Sequence, residues 1–261
     1  MTAPTWESED GTVKILSLGW GVQSFTLAAM SALGDLPLLD YAVHADTGYE
    51  MTHTYAFAAK WTQWFEEHGV KVRTVQALAQ RRDLFARKAM AIPAYCPAEG
   101  GYRDTQLKRE CTDEWKRMPI CRFIRAHAKA AEMWLGISLD EIERSRPSDV
   151  RYIQHVYPLL DRRMTRQDCI IWLERHGVDV PQKSSCYLCP YHRHLDWMRI
   201  KHTAHSDWQK ALEIDGQIRH AVKGFTCFLH QSRKPLAKAC DESQGVQLSL
   251  IGEECTGLCW T

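Results

Sequence analysis

The segment Leu16-Ser-Leu-Gly-Trp-Gly-Val-Gln-Ser24 decides the fold, because it joins a strand to a helix through a loop with two glycines. A short β-rich run at 13–17 precedes the loop, and helix formers with apolar spacing follow it at 22–32. Glycines let the backbone N–H groups of such a loop approach an anion closely, and the helix N-terminus favours negative charge. The spacing matches neither a Walker A loop nor Gly-x-Gly-x-x-Gly. Taken alone, the segment predicts either an anion-binding loop or an ordinary tight turn.

Strands and helices alternate beyond this loop. A second strand at 39–45 ends at Asp46-Thr-Gly48, an amphipathic helix with Trp61 on its apolar side follows, and 70–75 is a third strand. Further strands are predicted at 131–137 and 152–160. Further helices are predicted at 105–128 and 165–176. Short links imply parallel strands with right-handed crossovers, which bind ligands at their carboxyl ends. The sequence predicts an α/β fold, a Rossmann-like parallel sheet of about five strands with helices on both faces, plus a helical C-terminal region with a cysteine cluster.

The composition is that of an ordinary globular chain of 261 residues, 45% hydrophobic and 25% charged, with a formal net charge of +1. Such a charge produces no overall field that would draw the chain to nucleic acid or to a membrane. No apolar run approaches the roughly 20 residues of a membrane span, and the polar N-terminus is unlike a signal peptide. We therefore expect a cytoplasmic protein whose 10 cysteines are reduced. Cys169 and Cys227 are predicted to pack in the core.

Three motifs occur in order along the chain. The first is the loop at 17–23, and the second is His44-Ala-Asp-Thr-Gly-Tyr49. The third is Val156-Tyr-Pro-Leu-Leu-Asp161, which leads to Trp172-Leu-Glu-Arg-His-Gly177. Together they resemble the phosphoadenosine-phosphosulfate (PAPS) reductase family of the PP-loop, or adenine nucleotide α-hydrolase, superfamily. The matches span most of residues 13–195.

This resemblance implies a division of the chain and a ligand. Residues 1–11 would be a flexible N-terminus, 12–180 a PP-loop nucleotide-binding α/β domain, and 181–261 a helical region with a Cys-x-x-Cys motif and a cysteine-containing tail. The ligand would be an adenine nucleotide, either ATP with Mg²⁺ or one of the sulfonucleotides PAPS and adenosine phosphosulfate (APS). It would be cleaved or attacked near its α-phosphate.

The resemblance also implies which residues hold the nucleotide. Carried over position by position, they are Ser17, Gly19, Gly21, Gln23, Ser24, Asp46, Thr47, Lys116, Arg144 and Arg146. Ser24 and Asp46 are the candidate catalytic residues of this set, and Asp46 could assist Mg²⁺. The alternative for Asp46 is a strand-end turn with Gly48. The alternative for the two arginines is a solvated face.

The stretch Cys186-Tyr-Leu-Cys189-Pro190 spaces two thiols as zinc sites, iron–sulfur clusters and redox pairs do. The segment around Cys111 resembles the iron–sulfur APS reductases, although Thr112 stands where they have a second cysteine. The predicted ligands of a [4Fe–4S] cluster or zinc are Cys111, Cys186, Cys189 and Cys255. Cys259 or His192 could replace the last of these, or the thiols could hold no metal.

The C-terminal stretch Glu254-Cys255-Thr-Gly-Leu-Cys259 is similar to the Glu-Cys-Gly-Leu-His motif of sulfonucleotide reductases. In that family the cysteine is the nucleophile, and a thioredoxin-like reductant resolves the product. Here Thr256 is inserted and Cys259 stands in place of the histidine. Cys255 is thus a candidate catalytic thiol, with a plain tail thiol or a metal ligand as the alternative.

Three functions stay open at this point. The first is cleavage of ATP to AMP and pyrophosphate, with an adenylated intermediate for sulfur transfer or nucleic-acid modification; such relatives accompany DNA phosphorothioation, phage genomes and some type IV CRISPR loci. The second is thioredoxin-dependent reduction of PAPS or APS to sulfite, and the third is a non-catalytic binding module. The altered C-terminal motif favours the first. A basic stretch at 108–125 could receive a nucleic acid or nucleoprotein, or be a solvated helix face, and a homodimer is compatible with the sequence.

Overall fold

The computed structural model describes residues 11–85, 90–98 and 104–241. The strands within these ranges are β1 Thr12–Ser17, β2 Tyr41–Asp46, β3 Val72–Gln76, β4 Tyr95–Cys96, β5 Thr105–Gln106, β6 Ala130–Trp134 and β7 Ile153–Val156. Five of them form one sheet in the order β3-β2-β1-β6-β7, and every neighbouring pair is parallel. The other two, β4 and β5, form a short antiparallel pair.

Helices connect and cover the strands. The α-helices are α1 Val22–Ala32, α2 Thr52–Glu67, α3 Ala79–Arg82, α4 Met118–His127, α5 Pro158–Asp161, α6 Arg166–Arg175, α7 His194–Thr203, α8 His205–Gln217 and α9 Leu236–Ala239. Other helical turns occur at Thr112–Arg117, which is a π-helix, and at Leu139–Arg144 and Ile218–His220, which are 3-10 helices.

The side chains of β1 alternate between two apolar layers. Leu16 packs on one face of the sheet with Phe25 of α1 and Leu173 of α6. Ile15 packs on the opposite face with Ile124 of α4. All five side chains are fully buried, as expected for a central strand of a parallel sheet. Helices therefore cover both faces, and the predicted α/β fold with a Rossmann-like five-stranded sheet is confirmed.

A second apolar core lies among the C-terminal helices. Trp197 of α7 and Trp208 of α8 belong to it, and Trp115 of the π-helical turn packs in the same cluster. The chain just before this core is attached to the end of β2, because Met51 N–H donates to the Ser185 carbonyl at 3.0 Å. The C-terminal region is thus helical, as predicted, and reaches the carboxyl edge of the sheet. A domain boundary at 180/181 stays a prediction.

Two of the predicted elements need correction. The prediction of a strand over 152–160 is wrong beyond 156, because Pro158 begins the helical turn α5. Proline lacks the N–H that a strand ladder requires, and it fits the first position of a helix. The prediction of a helix from residue 105 is also wrong, since β5 occupies 105–106 and the helix begins with the π-helical turn. Pro119 lies in the first turn of α4 and does not interrupt it.

The predicted helix at 165–176 is confirmed as α6, with its ends at the expected residues. Thr165 and Asp168 form a reciprocal capping box at its start: the Asp168 N–H donates to Thr165 Oγ1 at 3.1 Å, and the Thr165 N–H donates to Asp168 Oδ2 at 2.9 Å. Gly177, with a positive φ of 66°, directly follows the C-cap residue.

Cys169 and Cys227 are buried in the two cores, as predicted. No helix in the described ranges combines the length and the apolar character that a membrane crossing requires. Two predictions concern residues outside the described ranges: the flexible N-terminus, apart from Gly11, and the tail with Cys255 and Cys259.

Candidate functional site

A cleft of about 430 Å³ opens at the carboxyl ends of β1 and β6. The strand order reverses between these two strands, because β1 leads outward to β2 on one side and β6 leads outward to β7 on the other. Loops that diverge from such a point leave a crevice, which is the usual ligand site of open parallel sheets. The structure brings seven of the implied nucleotide-binding residues to this cleft, namely Ser17, Gly19, Gly21, Gln23, Ser24, Lys116 and Arg144.

The loop after β1 is braced by one serine. The Gly19 N–H donates to Ser24 Oγ at 3.1 Å, and the Ser24 hydroxyl donates to the Gly21 carbonyl at 3.3 Å. Trp20, between the glycines, has a left-handed backbone with a φ of 57°, a conformation that costs a bulky residue roughly 1–3 kcal/mol. Its ring is buried, with its centroid 6.4 Å from that of Phe25, and this burial holds Trp20 in the core. The loop therefore presents its glycines in one defined shape.

The opposite wall approaches this loop so closely that only glycine fits at position 136. A Cβ atom built on Gly136 would lie 2.6 Å from the Ser24 backbone nitrogen and 3.0 Å from the Gln23 carbonyl carbon. The chain after β6 is held there by a hydrogen bond from the Leu135 N–H to the Val156 carbonyl, at 3.0 Å. The sequence indicated Gly136 only as part of a strand end. Its contact with the start of α1 is tertiary and has no local pattern.

We expect Gly136→Ala to lower the free energy of unfolding by about 2 kcal/mol and to distort the loop, because the added methyl group meets backbone atoms that cannot rotate away. Urea unfolding measures the loss of stability. The matched control is Gly216→Ala in α8, where a Cβ meets no atom within 4 Å. Alanine there should be neutral or stabilise the helix by up to about 1 kcal/mol. Equal stability of the two variants would show that the close approach at Gly136 does not exist.

The cleft is rich in positive charge. Its six basic side chains are Lys116, Arg144, Arg166, Lys183, Arg193 and Arg199, and its three acidic side chains are Glu50, Glu141 and Asp196. The excess of cations beside this glycine loop favours an anionic ligand. Four of the six basic residues were not among the predicted ligands, because they come from chain segments that meet only in the folded protein.

Arg144 is fixed by the short helix that follows β6. Its guanidinium forms an ion pair with Glu141 at 2.6 Å, and the two side chains are 14% and 21% exposed. Glu141 also accepts from Gln23 Nε2 at 3.4 Å, so the start of α1 and this helix share one carboxylate. The Arg144 Nε atom is buried and has no hydrogen-bond partner among the described residues. A buried, charged donor without a partner is costly in the free protein and suits a ligand that would accept from it.

Lys116 and His44 line the cleft near Glu50. The ammonium group of Lys116 lies 3.7 Å from the Glu50 carboxylate, and the π-helical turn, a geometry often found at functional sites, presents it to the cleft. His44 Nδ1 lies 3.0 Å from the Leu18 carbonyl. Burial lowers the pKa of His44, although Glu50 opposes this, so the ring is neutral at pH 7 and its Nδ1–H donates to that carbonyl. The neutral ring therefore steadies the strand end without adding charge.

Asp196 gathers the cations that the C-terminal region contributes. Its carboxylate lies 3.0 Å from Lys183 Nζ, 3.1 Å from an Arg199 nitrogen and 3.9 Å from Arg193 Nε. Burial alone would raise the pKa of Asp196, but the hydrogen bond and charge of Lys183 outweigh it, and the pKa lies below its usual value. One buried carboxylate thus holds three cations together, and their excess charge faces the cleft.

Three implied nucleotide ligands do not line the cleft: Asp46, Thr47 and Arg146. The Asp46 carboxylate accepts from the Gly48 N–H at 2.8 Å, from the Tyr55 hydroxyl at 2.7 Å and from the Gln76 amide at 2.6 Å. The strand-end turn with Gly48 is therefore present, and a role of Asp46 at the nucleotide stays a prediction.

The other two of these residues have hydrogen-bond partners of their own. The Thr47 hydroxyl donates to Glu50 at 3.2 Å. Arg146 is exposed, and its backbone N–H donates to the Tyr157 hydroxyl at 2.9 Å.

The predicted thiol ligands do not converge as one zinc ion requires. Tetrahedral zinc holds its sulfur ligands about 3.8 Å apart, and within the described ranges Cys111, Cys186 and Cys189 form no group with all three sulfurs within 4.8 Å. Cys186 Sγ lies 3.3 Å from the Thr47 hydroxyl. Burial, followed by the nearby Glu50 carboxylate, raises the pKa of Cys186 well above its usual value, so it is a neutral thiol. A cluster that separates its thiolates, with Cys255 as a further ligand, stays a prediction.

Comparison with known proteins adds little to this geometry. No protein-family model matches the chain. No curated protein is close enough in sequence to count as a match. One solved structure with a similar arrangement is the phosphate complex of phosphoadenylyl-sulfate (PAPS) reductase from Candida auris, with a TM-score of 0.43 and 12% sequence identity, covering 64% of this chain and 74% of that chain. The likeness is a distant one of fold.

Proposed function

We propose that the cleft binds the phosphoryl chain of an adenine nucleotide and that the chain cleaves ATP at the α-phosphate into AMP and pyrophosphate. The observation that carries this proposal is the meeting of a braced glycine loop with six basic side chains at the point where the sheet order reverses. Backbone N–H groups and a helix N-terminus favour phosphate oxygens. The cations supply the charge that a triphosphate requires.

The residues fall into two groups around the proposed phosphoryl chain. The loop amides and Arg144 lie on the side of the sheet, and Lys183 and Arg199 lie on the side of the C-terminal region. The oxygen of water or of an acceptor would attack the α-phosphorus and lose its proton to solvent, the bond from that phosphorus to the bridging oxygen would break, and its electron pair would leave with pyrophosphate. Water gives AMP directly, whereas an acceptor first carries the adenylyl group and releases AMP when a second nucleophile displaces it. Cations already fixed beside the departing charge stabilise such a transition state more than the ground state.

The described carboxylates do not fit a protein-held magnesium ion. Glu50, Glu141 and Asp196 line the cleft, but each is paired with a basic side chain. Asp46 lies outside the cleft lining and already accepts three hydrogen bonds. Magnesium in proteins often binds through substrate phosphates with only one or two carboxylates. In this proposal Mg²⁺ therefore enters with the nucleotide, and the protein's own contribution is the arginine and lysine charge.

Product analysis tests the proposed reaction. The purified chain is incubated with ATP and Mg²⁺, with and without candidate acceptors, and the nucleotides are separated by chromatography. AMP and pyrophosphate in equal amounts support the proposal, whereas ADP as the only product contradicts it. Sulfite from PAPS and a thioredoxin, lost in Cys255→Ser, would assign the chain to sulfonucleotide reduction instead. Nucleotide binding with no turnover under any of these conditions would leave a binding module.

Ser24→Ala should weaken ATP binding about tenfold. Ser24 lines the cleft, and the loss of one hydrogen bond from its hydroxyl to a phosphate oxygen, about 1.4 kcal/mol, corresponds to this factor. Isothermal titration calorimetry with ATP measures the change. Ser206→Ala, on the exposed face of α8, is the control and should bind ATP as the unaltered chain does. Unchanged affinity in Ser24→Ala would show that the Ser24 hydroxyl does not contribute to ATP binding.

A further inference from the structure

Outside the cleft, three metal-binding side chains from separate segments come together in the C-terminal region. They are His194 at the start of α7, His230 in the stretch before α9, and Cys240 at the C-cap of α9. One ligand atom from each lies within 4.8 Å of the other two. None of the three lines the cleft, and none was among the metal ligands predicted from the sequence.

Two of the three side chains are shielded from solvent. His230 is 4% exposed and Cys240 is 1% exposed, and Cys240 belongs to the second apolar core. His194 is half-buried. Two of the three side chains are thus removed from bulk water, and the third lies at the boundary with solvent.

The spacing of the two rings suits a single tetrahedral ion. His194 Nδ1 and His230 Nε2 are 3.3 Å apart, and two nitrogens bound to zinc at 2.0–2.1 Å in a tetrahedron lie about 3.3 Å apart. His230 Nδ1 lies 2.7 Å from the Ser232 hydroxyl. The Ser232 backbone N–H also donates to His230 Nδ1 at 3.1 Å, and together these contacts orient the ring with Nε2 toward His194.

A buried aspartate holds the segment that carries His230. Asp215 accepts from the backbone N–H groups of Leu229 and Leu236, each at 2.9 Å, and from Arg219 at 2.6 Å. The backbone is therefore fixed on both sides of His230 without any metal. A site whose ligands are already positioned loses little conformational freedom when an ion binds.

We propose that His194, His230 and Cys240 bind one zinc ion, with solvent as the fourth ligand, and that this ion ties α7 and α9 to the segment between 228 and 235. Two imidazoles and one thiolate are a donor set that zinc prefers. Burial raises the pKa of Cys240 to about 11, so the free residue is a thiol. Binding forms a zinc–sulfur bond and releases the Cys240 proton to solvent, with no change in oxidation state.

Metal analysis of the full chain tests this site separately from the thiols around Cys186. The unaltered protein is stripped with a chelator and titrated with zinc. It should bind one more equivalent of zinc per chain than Cys240→Ser or His194→Gln binds. Cys121→Ser, which removes a half-buried thiol outside the group, and Cys186→Ser should both retain it. The melting temperature should rise with zinc in the unaltered protein and in these two controls, but not in Cys240→Ser.

Circular dichroism of each variant establishes that it is folded. His194→Gln alters the least buried of the three ligands, so it keeps the test valid if Cys240→Ser does not fold. Equal zinc content in the unaltered protein, His194→Gln and Cys240→Ser would overturn the proposal, as would a chain that binds no zinc after stripping. In either case the two histidines would simply be hydrogen-bonded to each other.

Discussion

Asp196→Asn should lower the free energy of unfolding by about 3 kcal/mol at pH 7. The substitution keeps the shape of the side chain but leaves Lys183, Arg193 and Arg199 without the carboxylate that holds them. Removing one partner of a buried ion pair usually costs about 3–5 kcal/mol. The lower figure applies here because the three cations are 28%, 43% and 56% exposed and remain partly solvated.

The effect should depend on pH in one direction. The folded-state pKa of Asp196 lies below its usual value of 3.8. Its charge therefore contributes fully to stability above that value, and the contribution is lost as the pH falls through the lowered folded-state pKa. The difference in the free energy of unfolding between Asp196→Asn and the unaltered chain should be constant from pH 5 to 7, because this range lies above the folded-state and the unfolded-state pKa of Asp196. The difference should shrink below about pH 4.

Urea unfolding across this range measures the difference. The control is Asp179→Asn, because Asp179 pairs with Lys60 on the surface and both side chains are about half exposed. Its loss should stay within about 1 kcal/mol. Pyrophosphate should stabilise Asp196→Asn more than it stabilises the unaltered chain, since an anion can replace the missing carboxylate. Equal losses in the two variants would refute the view that Asp196 organises these cations.

The fold was predictable because its signals are local. Short links between alternating strands and helices imply parallel strands, and every neighbouring pair in the five-stranded sheet is parallel. Apolar spacing after the glycine loop predicts a helix at 22–32, and α1 has these same bounds. The same reasoning failed at 152–160, where an apolar run continues through Pro158. There the fixed backbone of proline, rather than hydrophobicity, determined the structure.

The site was only partly predictable, because only its local part can be read from the sequence. Residues in the loop after β1 are adjacent in sequence, so a motif can identify them. Lys183 and Arg199 reach the cleft because Asp196 is buried and because the segment before Cys186 is attached to the end of β2. No spacing along the chain encodes that convergence. The zinc-site residues His194, His230 and Cys240 likewise meet only through tertiary packing.

Arg144 and Arg146 were both implied as nucleotide ligands, but the structure places Arg144 in the cleft and Arg146 on the surface. Their substitutions can therefore be compared directly. If the proposed function holds, Arg144→Gln should lower the rate of pyrophosphate release from ATP about 100-fold, the usual loss when one fixed donor to a developing charge is removed. Arg146→Gln should retain nearly the full rate. Initial rates at saturating ATP, with urea unfolding to show that both variants are folded, make the comparison.

Glu141 decides how the Arg144 result is interpreted. Removing the guanidinium leaves the Glu141 carboxylate unpaired beside the proposed phosphates, and repulsion alone could slow the reaction. The double variant Glu141→Gln with Arg144→Gln removes that repulsion. If it stays about 100-fold slow, the lost rate belongs to the contact between Arg144 and the phosphates. If the double variant instead reacts as fast as Glu141→Gln alone, the slow rate of Arg144→Gln comes entirely from the unpaired Glu141 carboxylate. Arg144 would then act only by neutralising Glu141.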